Sequence, residues 1–87
     1  RKDLPDAAFG SLLPVIRAQA IDERNYVKKA VSWALRQIGK RSSGLNSQAV
    51  RTAERIERID SRAARWVARD ALRELRSDAV QARLRKS

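Results

Sequence analysis

Apolar residues recur along the chain at the three-and-four spacing of helices, and the pattern divides into five segments. Phe9, Leu12, Leu13 and Ile16 predict a first helix over about Asp6 to Ala20, which Pro14 should kink or restart. Asp22 is a good N-cap for a second, where Val27, Ala30, Val31, Ala34, Leu35 and Ile38 form one buried face and Gly39 provides a stop. A loop over Lys40 to Gly44 should lead to a third, entered at Asn46 or Ser47 and marked by Leu45, Ala49, Ala53, Ile56 and Ile59. Asp60 or Ser61 caps a fourth, whose wide face of Ala63, Ala64, Val67, Ala68, Ala71, Leu72 and Leu75 is made mostly of small residues and implies close helix approach. Ser77 caps a short last helix with Ala79, Val80 and Leu84, after which Arg85-Lys86-Ser87 should fray.

The pattern carries a weak internal echo. Ile21-Asp22 returns as Ile59-Asp60, and Ala34-Leu35-Arg36 as Ala71-Leu72-Arg73. A period in the high thirties is near the roughly 40-to-47-residue unit of HEAT-like helical repeats, and a plain four- or five-helix bundle explains the same pattern nearly as well.

Composition narrows the chemistry. Eighty-seven residues bound the chain to one small domain. The absence of Cys and His removes disulfides, Cys/His zinc sites, thiol nucleophiles and imidazole bases together. A net charge of +10 makes polyanions the first partners to consider. No apolar run approaches a membrane span, the start has no secretory h-region, and a cytoplasmic protein is expected. The chain begins at Arg1 and contains no Met, which suggests a segment of a longer protein.

Two cationic stripes stand out. On the second helix Asn25, Lys29, Ser32, Arg36 and Lys40 share the side opposite the apolar face, with Trp33 on its border. Such cations contact phosphates and an indole among them can stack on a base, although a solvated face with Trp33 packed on a neighbour fits the same spacing. On the fourth helix Arg62, Arg65, Arg69, Arg73 and Arg76 fall on one side, flanked by Asp70 and Glu74, which could pair with Arg73 or Arg69. Trp66, bordering the alanine face, is expected in the core. Asp22 and Asp60 read as caps, and no pair of acids stands out for catalysis.

DERNYVKKAVSWALRQIGKR, from Asp22 to Arg41, resembles the C-terminal part of the DNA alkylation repair protein family, the HEAT-like-repeat alkylpurine DNA glycosylases. RAARWVARDALREL, from Arg62 to Leu75, resembles the same family's closing repeat, and together the two cover most of the chain from about Phe9 onward. The resemblance implies an α-α superhelix of HEAT-like repeats, here about five helices. It also implies a concave basic face that holds duplex DNA, in enzymes that excise alkylated purines by hydrolysing the N-glycosidic bond. By the same resemblance Trp33 matches a concave-face tryptophan that contacts DNA near the lesion, with Arg36 beside it. The family's catalytic aspartate and its partner arginine belong to upstream repeats with no counterpart in these residues, so the segment should be inactive alone.

The expectation is therefore one all-α unit over residues 1–87, with helix pairs over about 6–39 and 46–75 and a terminal helix over about 78–86. The expected nucleic-acid-binding set is Lys29, Trp33, Arg36, Lys40 and Arg41, with no catalytic residue, cofactor or metal assigned. The expected partner is duplex DNA, alkylated where the parent repairs it, and no membrane. Self-association is expected through Phe9, Leu12, Leu13 and Ile16, where a preceding repeat would have covered them. The competing class is a helical-repeat interaction scaffold whose basic surface takes an acidic protein. A helix-turn-helix reader is disfavoured by the length of the expected loop from Gly39 to about Asn46.

Overall fold

The computed structural model describes residues 5–86, and every regular element among them is an α-helix. The helices are α1 (Asp6–Gly10), α2 (Leu13–Gln19), α3 (Asn25–Gly39), α4 (Ser43–Glu57), α5 (Arg62–Leu75) and α6 (Asp78–Arg85). There are six rather than about five because the first segment breaks at Ser11-Leu12, before Pro14. Pro14 then sits in the first turn of α2, where its missing N–H leaves no hydrogen bond unmade.

Three serines set the starts of the later helices. The Oγ of Ser42, Ser61 and Ser77 accepts from the backbone N–H of Leu45, Ala64 and Val80. Helix α4 therefore begins a turn earlier than Asn46, and only Lys40 to Ser42 link it to α3. This short link removes the ground on which a helix-turn-helix was disfavoured. What stands against that reading instead is that α4 packs against α1, α2, α3 and α5, which leaves it poorly placed to enter a groove.

Asp22 is not the cap of α3. Arg24 holds that position without a side-chain bond, and Asp22 accepts from the Arg24 backbone N–H at 2.9 Å and from its guanidinium at 2.7 Å. Those hydrogen bonds lower the Asp22 carboxyl to about 2. The neighbouring Glu23 reaches across to α5 instead, where its carboxylate accepts from the Ala63 N–H at 3.1 Å and supplies negative charge to that helix start.

Helices α3, α4 and α5 each pack on the other two, α2 on α3 and α4, and α6 on α5. Helices α3, α4 and α5 thus enclose the core among them, and α2 closes it against α3 and α4. The seven-residue face read from the sequence of α5 is buried throughout, and Leu35, Leu45, Ile56 and Leu75 fill the space around its alanines. Gly39 ends α3 without a positive φ. Its role is close approach: a Cβ there would lie 2.4 Å from Leu75 Cδ2 and 3.1 Å from Ala49 Cβ.

Asn46 is buried on the same seam. Its Nδ2 donates to the carbonyls of Gly39 (3.0 Å) and Leu75 (3.3 Å), the last residues of α3 and α5, and its Oδ1 accepts from Gln81 on α6. The apolar set expected to be left open at the first helix divides. Leu13 is buried against the core, Phe9 and Ile16 are half-buried, and Leu12 is exposed, as is Val15. The restart of the helix at Leu13 is what turns that side chain inward. Arg85 lies within α6 rather than in a frayed end, and Ser87 falls outside the described residues.

Candidate nucleic-acid interface

The outward side of α3 carries Lys29, Trp33, Arg36 and Lys40 at helical spacing, away from the core residues Val31, Leu35 and Ile38. Lys29 is exposed and has no ion-pair partner among the described residues. Trp33 is 58% exposed, so the packed alternative for its indole does not hold.

Arg36 and Lys40 are anchored. Glu74 on α5 accepts from Arg36 Nη1 at 3.1 Å through Oε1 and from Lys40 Nζ at 3.0 Å through Oε2. The hydrogen bond from Lys40, then that from Arg36, hold the Glu74 carboxyl below its ordinary value. Ser32 is buried rather than solvated: its Oγ donates to Asp70 at 2.6 Å and accepts from Arg36 Nε at 3.3 Å. Asp70 in turn accepts from Arg73 at 3.1 Å, so one polar chain joins α3 to α5 across the seam. Its links Ser32–Asp70 and Arg36–Glu74 both span 38 residues, close to the period of the sequence echo.

Arg41 lies around the helix from the other four. Its guanidinium carbon sits 4.0 Å from the Phe9 ring centroid. With Trp33, Phe9, Leu12, Ile16 and Gln37 it borders a cleft of about 330 Å³ between α3 and the first two helices. The indole of Trp33 therefore divides a cationic face from a mainly apolar cleft.

The arginine row of α5 is largely paired. Arg65 meets Asp60, Arg69 meets Glu57, Arg73 meets Asp70, and Arg76 meets Glu54. Only the third of these is the pairing within α5 that the sequence suggested, because Glu74 turns to α3. Trp66 is not core: it is 41% exposed on this row, with Lys28 Nζ 5.7 Å from its ring centroid. Alanines on the buried side bring α5 too close to its neighbours for an indole to fit between them.

Among the described residues no cluster of His, Cys, Asp or Glu could hold a metal ion, and no helix is long and apolar enough to cross a membrane. Residues 2–75 match the family model for DNA alkylation repair enzyme, and the chain belongs to that family. No curated protein and no solved structure matches it.

Proposed function

We propose that this member of the DNA alkylation repair enzyme family serves as the C-terminal DNA-binding part of an alkylpurine DNA glycosylase, holding duplex DNA against the outward face of α3. The observation that carries this reading is the exposed indole of Trp33 among Lys29, Arg36 and Lys40. Water-facing lysines are ordinary on a basic chain, whereas a large indole left in solvent loses the burial it would gain elsewhere. A base or sugar edge against the ring restores that burial.

The cations divide the work. Glu74 and Ser32 fix Arg36 and Lys40, so little side-chain entropy remains to be lost when a phosphate arrives, and donors not used by Glu74 or Ser32 remain for its oxygens. Lys29 adds an uncompensated charge one turn before Trp33. Arg41, across the indole, would meet the backbone on the other side. These contacts go to phosphates and to one stacked group, so binding has little sequence preference. The packing of α3 on α5 and the polar links between them across 38 residues support a HEAT-like stack as the scaffold.

The test is a salt titration of binding to a short duplex. About three or four phosphate contacts give a slope near −3 in log affinity against log salt. A flat dependence, or tighter binding to an acidic protein than to DNA, contradicts the reading and favours a protein-interaction scaffold.

A further inference from the structure

Helices α2 and α4 carry a second concentration of positive charge that the proposed DNA face does not use. Between α2 and α4 lies a cleft of about 260 Å³ lined by Arg17, Arg51 and Arg55. Gln48 and Thr52 complete its α4 wall, and no acidic residue lines it. Thr52 is held in place by donating to the Gln48 carbonyl at 2.9 Å. Gly10 makes room for the Gln48 amide, since a Cβ there would lie 2.8 Å from Gln48 Oε1.

The contrast with α5 gives this arrangement its meaning. Arg65, Arg69, Arg73 and Arg76 each have a carboxylate within reach, while Arg17, Arg51 and Arg55 have no ion-pair partner among the described residues. Three like charges around one concavity repel, and an anion placed between them reverses the sign of that interaction. Guanidinium forks match phosphate oxygens in pairs, and the side-chain amide of Gln48 adds a neutral donor. The volume admits a phosphate with an attached sugar and falls short of a typical drug-sized pocket.

We propose that the α2–α4 cleft is a phosphate-binding site, separate from the Trp33 face and independent of the function assigned to it. The phosphate arrives either as a free anion or small phosphate ester, or as a phosphodiester of nucleic acid.

The experiment is an NMR titration of the full chain with inorganic phosphate, with ionic strength balanced by chloride, and separately with a short undamaged duplex. At least one probe should produce saturable shifts at the Arg17, Arg51 and Arg55 Nε–H groups and at the Thr52 amide. The double variant Arg51→Gln/Arg55→Gln should weaken that binding at least about tenfold while the rest of the spectrum is kept. Both side chains are exposed, so the variant retains the fold. Phosphate that stays in the cleft at saturating duplex marks a small-ligand site, and displacement by duplex marks a second DNA-backbone contact. Absence of saturable shifts with either probe overturns the proposal, as does unchanged binding by the double variant. Failure of the Trp33 reading shows separately, as indole resonances that duplex leaves unmoved.

Discussion

Helices α3 and α5 share a run of sequence, lie side by side and each present a tryptophan among cations to solvent, yet their faces differ in what the neighbours supply. On α5 four of the five arginines are matched by acids from α4, from Asp60 and from α5 itself, and Arg62 is left over among the described residues. On α3 a single carboxylate, Glu74, serves both Arg36 and Lys40, and Lys29 has none. The spacing of charges along a helix is alike in the two cases. Availability to a polyanion is decided by carboxylates elsewhere in the chain, which is why the longer stripe is the less available one.

The comparison depends on the two helices being held in register. Leu35 is fully buried in α3, and Leu35→Ala should lower stability by about 2–5 kcal/mol, the largest effect expected of any change discussed, measurable by urea denaturation. Asn46→Ala should cost about 1–3 kcal/mol, because the carbonyls of Gly39 and Leu75 lose their shared donor while remaining at the buried seam. A loss below a few tenths of a kcal/mol would mean that solvent satisfies those carbonyls.

Much of this seam was legible in the sequence. The apolar face of α5, the cap at Ser77 and a cap at Asp60 or Ser61, of which Ser61 is the one used, follow from helical spacing and residue type. The echo between α3 and α5 pointed to a pair of related helices. Polar partners 34 and 38 residues apart were not legible, since nothing local marks Ser32 as buried or turns Glu74 toward Arg36 and Lys40. Asn46 suits a helix start by type, and Ser42 takes that role only because Ser43 and Gly44 enter the first turn. Trp66 was misplaced because an indole beside alanines reads as core, whereas close packing of those alanines leaves it outside. The α2–α4 cleft is not legible in the sequence, because Arg17 comes from a helix remote in sequence from Arg51 and Arg55.

Glu74 offers a smaller and sharper test. Its folded-state pKa is depressed, so its stabilising contribution is present above the ordinary value of 4.5 and is lost as the pH falls through the lowered folded value. Thermal melts from neutral pH downward should show that loss in the wild type, and Glu74→Gln should be less stable at neutral pH but lose less on acidification. The same variant removes the charge between Arg36 and Lys40, and should bind duplex about two- to fivefold more tightly at low salt. Weaker binding by Glu74→Gln would show that holding the two cations matters more than freeing their charge.

A small stability effect is expected of Trp66→Ala, at most about 1 kcal/mol for a partly exposed ring and its contact with Lys28. The two tryptophans are therefore a matched pair, one expected on the DNA face and one off it. The deciding measurement is the affinity of Trp33→Ala and Trp66→Ala for a short duplex, by fluorescence anisotropy at one fixed salt concentration, with melting temperatures as the control. Loss of one stacked group predicts that Trp33→Ala binds about tenfold more weakly at a nearly unchanged melting temperature, while Trp66→Ala binds within about twofold of wild type. Wild-type affinity in Trp33→Ala, or a greater loss in Trp66→Ala, would contradict the assignment of the α3 face as the DNA surface.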